Sequence, residues 1–560
     1  MIDNDLLRGR VDRRTLIKGA GAAGVAGITL APVAGLAAPA SSTGSRLERK
    51  AGDPTTLVVV ASGSPSDIDP HSSYDYQSVM AILGAYEGLI GLKGETTDEF
   101  EGHIAETWES NDDQSVWTFH LRDGVTFQDG SPVDAEAVRL NYERFITLGL
   151  GPVAVLTRFI SDPAQITAPD AKTVVFDCKA PQPLFPFAIA STYGPLVANA
   201  KLLKEHEEDG DWGHIWAQTN AEGTGSGPYK ITNFEPGQVL EMEKFDDYWR
   251  GWDGNHFEKI VVRVVTEGET RRQLLEQGEG DIVDSLTLEQ HQAIKENPDI
   301  TTLSKFVTRN QYWAMAVAGP LETPEARQAM NFAWPWDEVV NGIYGELGRH
   351  PKGPVPPEIQ GHDPNTFEYT TDLDQAKALL EKAGVAEGTK LNMSLESGLE
   401  GPKAAAQLFQ QNLAQIGIEL EVEEWDLSSY TGMIYGDAGA DERPNFMWWG
   451  WWPDYNDAWN HLYPQVSCDA QGPAGSNMGY YCNDKVQELL DTAKNAPDQD
   501  TYMKAISEIQ EILSKDDPPS IYYIEPAWTY YYQNDIDGIY INPVNIGTYD
   551  YWAMSRKAAE

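Results

Sequence analysis

An α/β fold in at least two domains is what this sequence predicts, and two observations predict it. Strand- and helix-patterned segments alternate along most of the chain, which favours α/β layers over an all-α or all-β design. At 560 residues, 41% hydrophobic and 10% aromatic, the chain exceeds what one core fills and has apolar material for more than one.

The elements follow in order. Residues 56–61 form a short apolar strand. Residues 115–121 alternate as a strand and run into tight turns at Asp123-Gly124 and Asp129-Gly130. A helix is expected to open at Ser131-Pro132, with Ser131 as cap, Pro132 in the first helical position and Asp134 favoured by the N-terminal dipole. Residues 172–178 and 259–265 read as strands, followed by a helix over 268–277 and a strand at 281–283. Asp372 opens a helix with Ala376, Leu379, Leu380 and Ala383 on its inner face and Gly384 as its stop. Ala405, Leu408, Phe409, Asn412, Leu413 and Ile416 share the next helical face; after Gly417, the residues Ile418, Leu420 and Val422 alternate as a strand. Tyr502, Ala505, Ile506, Ile509, Ile512 and Leu513 form a last helical stripe before a strand at 520–524. Such stripes are core-forming faces rather than cofactor sites.

The formal charge of −45 repels nucleic acid and anionic membranes, which argues against either as a partner. So dense a carboxylate surface fits a salt-adapted protein; an ordinary acidic secreted protein is the other reading. At the N-terminus, Arg13-Arg14-Thr15-Leu16-Ile17-Lys18 precedes a mildly apolar run over 19–38 and a small-residue cleavage site at Ala38-Pro39-Ala40. This looks like a twin-arginine signal over 1–40, followed by a polar linker over 41–54, and predicts export; an uncleaved anchor is the competing reading. Of the three cysteines, Cys468 and Cys482 bracket a Gly- and Ser-containing loop and are expected to form a disulfide in an oxidising compartment, whereas Cys178 is a buried spare thiol. No phosphate-binding loop, zinc-protease helix or nucleophile elbow is present, so an enzyme, a secreted hydrolase included, is disfavoured and no cofactor or metal is expected.

Several short blocks resemble one family, in its order. They are the 105–145 region, Gly225-Ser226-Gly227-Pro228-Tyr229, Asp247-Tyr248-Trp249, Thr270-Arg271-Arg272-Gln273-Leu274-Leu275, Arg327-Gln328-Ala329, Ala376-Lys377-Ala378-Leu379-Leu380, and Gly450-Trp451-Trp452-Pro453-Asp454-Tyr455-Asn456-Asp457. Together they are similar to the family 5 solute-binding proteins, the receptors of peptide-type ABC importers. The resemblance implies a two-lobe, periplasmic-binding-protein-like α/β fold of type II, its lobes joined by two hinge strands. Lobe one would cover 53–303 plus 523–560, with an extra subdomain at 91–220, and lobe two 304–522. It also implies a monomer at the cell surface or in the periplasm that captures a solute between the lobes and hands it to permease subunits with their ATPase.

Asp454 occupies the place where peptide-binding members hold the ligand's α-ammonium group. Residues 446–463 hold five of the chain's 17 tryptophans; Trp448 or Trp449 is expected in the core, and Trp451 or Trp452 at the cleft. Tyr455, and Tyr74 and Tyr76 after the first strand, complete the candidate ligand-binding set. Indole faces stack on peptides, cations and sugars alike, so di- to oligopeptides are the expected ligand and an oligosaccharide or another small solute is the alternative. Arg349 and Arg443 are candidates, by residue type alone, for a ligand carboxylate.

Overall fold

In a computed structural model, residues 54–496 and 498–557 are described; the expected signal at 1–40 and all but the last residue of the linker lie outside them. One twelve-stranded sheet runs through the body. Its organising element is Ser520–Gln533, a 14-residue strand. The N-terminal part of that strand pairs antiparallel with Asn310–Met315, which continues the sheet through Phe446–Trp451, Lys390–Glu396 and Glu419–Trp425. Its C-terminal part pairs with Ile300–Phe306 and Ile282–Asp284, and the sheet continues through Thr56–Ala61, Lys259–Val264, Val239–Lys244 and Tyr229–Glu235. Two segments therefore cross between the halves: this long strand, and the step from Ile300–Phe306 to Asn310–Met315. The architecture is the two-lobe α/β type.

The strand that begins at Ser520 runs nine residues beyond the stretch that its sequence pattern predicts. Pro526 interrupts the apparent pattern, and Trp528, Tyr530 and Tyr531 are all buried, so the polar–apolar alternation of a half-exposed strand is absent. A separate four-stranded sheet orders Ala105–Ser110, Val116–Leu121, Thr173–Asp177 and Ile166–Asp170. The helix Ala135–Leu148 packs on it through Val138, Tyr142 and Phe145. That helix begins later than expected. Asp134, not Ser131, is its cap and accepts from the Ala137 amide at 2.9 Å. Ser131 instead belongs to a turn closed by the Asp129 carboxylate, which accepts from its amide and hydroxyl at 2.8 and 2.6 Å. An Asp-Gly turn with its own side-chain acceptor outcompetes the helix for these residues.

The helix Leu373–Ala383 has the predicted ends, with Asp372 capping and Gly384 left-handed at φ 74°. Cys468 and Cys482 form the expected disulfide, and Cys178 is buried and free, its thiol pushed up to about 12 by burial. The disulfide closes a loop 14 positions long. Replacing both cysteines with serine is expected to cost on the order of 3 kcal/mol, seen as a lower urea midpoint; an unchanged midpoint would show that the loop is held by its hydrogen bonds alone.

Candidate ligand site

Asp454 lies just beyond the strand Phe446–Trp451, ahead of a helix, Ala458–Val466, that Asp457 caps. Its backbone is fixed at both polar atoms. The amide donates to Asn460 Oδ1 at 2.7 Å, and the carbonyl accepts from Ser191 Oγ at 2.8 Å. Its carboxylate accepts from Tyr74 Oη at 2.7 Å, and weakly from Asn460 Nδ2 at 3.4 Å. No lysine, arginine or histidine pairs with it among the described residues. Burial therefore dominates, and the two hydrogen bonds only partly offset it: the carboxyl is pushed up to about 6. A desolvated carboxylate with donors from neutral groups only is a ready partner for a cationic ligand atom.

Tyr74, 380 positions away in the chain, donates to the Asp454 carboxylate. It keeps 39% of its surface exposed, yet burial drives its phenol well above the ordinary range. Edge-to-face packing on Tyr193, at 5.4 Å between ring centroids, holds it there. Trp452 Nε1 donates to Tyr193 Oη at 3.0 Å. Tyr76 starts the helix Tyr76–Ile82, packs edge-on against Trp528 at 5.2 Å, and lies within 3.3 Å of Ser62 Oγ; burial pushes its phenol up to about 12.

The other candidates separate from this group. Tyr455 is buried in the core of the four-stranded sheet region, where Arg158 donates to its hydroxyl at 2.9 Å and Phe159 packs at 5.9 Å. Trp451 packs with Tyr312, Tyr430 and Met447 on the second half of the sheet. Trp448 is core, with Nε1 donating to Tyr523 Oη at 3.0 Å. Arg349 is engaged by Glu358 and Glu525, and Arg443 by the carbonyls of Ile434, Gly436 and Ala438. Neither arginine is free for a ligand. Arg309, not singled out from the sequence, places its guanidinium over the ring of Trp452 at 5.4 Å. No motif marks it. A cavity of about 120 Å³ borders Ser191, Glu87, Arg250 and Asp550, and none of the six candidate ligand residues.

Among the described residues no cluster of potential metal ligands is found, and no helix is long and apolar enough to cross a membrane. Comparison with known proteins agrees with the fold. The chain is 28% identical over 508 residues to the probable D,D-dipeptide-binding periplasmic protein DdpA of Escherichia coli (strain K12), covering 89% of this chain and 94% of that one. In three dimensions it resembles the periplasmic binding protein DppA of Helicobacter pylori in complex with peptide STSA, at TM-score 0.77 and 23% identity over 90% of this chain and 98% of that one. It also resembles a dipeptide-binding protein of Pseudoalteromonas sp. SM9913 in complex with Met-Leu, at TM-score 0.78 and 21% identity over 90% and 100% of the two chains. The sequence profile of the bacterial extracellular solute-binding proteins, family 5 Middle, matches residues 99–473, and the chain belongs to that family.

Proposed function

We propose that this protein is the exported receptor of an ABC importer for short peptides, which it holds between its lobes by the N-terminal ammonium group and releases unchanged to a permease and its ATPase. The observation that carries this reading is Asp454: a buried carboxylate, bonded by Tyr74 across the cleft, with no basic side chain to neutralise it. A peptide ammonium supplies the missing charge and bonds to both sides of the cleft at once, so binding favours the closed arrangement. The peptides named for the relatives point the same way. A sugar receptor needs open indole faces, and here Arg309 lies over Trp452 while Tyr435 meets Trp449 edge-on at 5.7 Å. The family is one of binding proteins, and substrate chemistry has no part in this reading.

Calorimetric titration tests it. Di-, tri- and tetrapeptides are expected to bind at one site at pH 7.5, and cello- and manno-oligosaccharides are not; the reverse would replace the peptide reading with a carbohydrate one. The pH dependence has a definite sign. Asp454 must be ionised to hold an ammonium ion, and its carboxyl in the ligand-free protein titrates near 6. Peptide affinity is expected to hold between pH 7 and 8 and to fall as pH drops through 6, approaching about tenfold per pH unit. A flat profile from pH 8 to 5 would remove Asp454 from the binding step.

A further inference from the structure

The cavity of about 120 Å³ beside Ser191 is lined by two charged side chains, Glu87 and Arg250, and neither is paired with an opposite charge. Glu87 is 7% exposed. Its carboxylate accepts from Tyr248 Oη at 2.6 Å and from Trp249 Nε1 at 2.9 Å, both neutral donors. Arg250 has no hydrogen bond or ion pair among the described residues, and its Nε is buried without a partner. Two indoles hold its guanidinium instead, with Cζ 5.0 Å from the ring centroid of Trp249 and 5.1 Å from that of Trp552. Arg122 stacks on the same Trp249 at 4.1 Å, but the carbonyls of His103 and Gly102 engage it. Stacked rings orient a guanidinium and leave its fork for an acceptor. They do not replace the hydration it has lost.

Trp249 sets the spacing of the two charges. Glu87 is bonded at the edge of the indole, and Arg250 lies over its face. Placed so about one ring, they stand roughly 7 Å apart, a gap that one small molecule spans with hydrogen bonds of about 2.8 Å at each end. The other walls narrow its chemistry. An anion alone would meet the carboxylates of Glu87, Glu101 and Asp550, and a cation alone would meet the guanidinium. A zwitterion suits both. Leu83, Ile90 and Leu196 add the apolar wall that small-molecule sites have.

We infer that this cavity is a second solute site, which takes a small free α-amino acid such as glycine or alanine, its carboxylate on Arg250 and its ammonium group on Glu87. None of the six candidate peptide-binding residues lines it, so the two sites stand or fall separately. Their one point of contact is Ser191, which lines the cavity while its Oγ donates to the Asp454 carbonyl at 2.8 Å.

Equilibrium dialysis of the protein against labelled glycine and L-alanine tests this, with acetate and methylammonium as single-charge probes. One saturable site is expected, preferring the amino acids at least tenfold over either single ion. R250M and E87Q should each weaken glycine binding at least tenfold, with thermal melts showing both folded and dipeptide affinity unchanged. D454N should bind glycine as the wild type does. Absence of saturable binding of either amino acid by the wild type overturns the site, and so does equal binding of acetate or methylammonium. Loss of glycine binding in D454N with retention in R250M overturns it too, because the amino acid then occupies the peptide site. Glycine binding with no dipeptide binding overturns the Asp454 reading and leaves this site standing.

Discussion

Asp454→Asn is expected to weaken peptide binding by about 2–5 kcal/mol, roughly 30- to 5,000-fold, because it strips the charge from one partner of a buried pair. Asparagine keeps the shape and can still accept from Tyr74 Oη, which lies 2.7 Å from the carboxylate in the wild type. The loss therefore reports charge rather than packing. The same variant should behave in the opposite sense for stability. Asp454 ordinarily titrates at 3.8 and is raised to about 6 in the folded chain, chiefly by burial. Between those values the native state holds a proton that the unfolded chain releases, so stability is fully present below 3.8 and declines as pH rises through 6. Above that the ionised group costs on the order of 3 kcal/mol. Ligand-free Asp454→Asn should thus melt higher than wild type at pH 8 and no higher at pH 4. A variant that loses both stability and affinity at pH 8 would place Asp454 in the scaffold instead. A carboxylate kept at the expense of stability is what a binding site requires, because the ligand's ammonium ion restores the balance.

Asp69→Ala is expected to destabilise the fold by about 3–5 kcal/mol, the typical result of leaving one member of a buried ion pair alone. Asp69 and Arg144 are both fully buried and share two hydrogen bonds, of 2.8 and 2.6 Å. His214 Nδ1 lies 2.9 Å from the same carboxylate. Burial alone would raise the Asp69 carboxyl; the hydrogen bonds from Arg144 and His214 and the charge of Arg144 overcome it and hold it well below its ordinary 3.8. This contribution is therefore present above about pH 4 and is lost as pH falls below it. The consequence reaches the site. Asp69 also orders the loop that ends in Tyr74, accepting from the His71 amide at 3.0 Å and, through its carbonyl, from Ser73 Oγ at 2.8 Å. Peptide affinity should fall along with stability in Asp69→Ala. The double variant Asp69→Leu with Arg144→Met should recover most of the stability, since matched apolar groups often replace such a pair without penalty. Urea midpoints of the two single variants and the double variant check this. A double variant no better than the sum of the singles would show that the loop depends on the ions themselves.

Much of this arrangement was legible in the sequence, and the remainder has physical reasons. The helix at Leu373–Ala383, with Asp372 before it and Gly384 after it, carries its signals locally. Asp454 was visible through the block that contains it. The placement of Arg309 was not, because it depends on Trp452 and Trp528, which come from distant parts of the chain. Arg349 and Arg443 looked equally suitable by type until their acceptors could be seen. The late start of the helix at Ala135 reflects a contest between two local caps, Asp129 and Asp134, that spacing alone does not decide.

The most direct measurement is a crystal structure of the chain after incubation with a mixture of di- and tripeptides. An unmodified peptide should lie enclosed between the lobes with its terminal nitrogen within ~3 Å of the Asp454 carboxylate. A peptide bound outside that cleft, or one whose ammonium group avoids Asp454, would contradict the account.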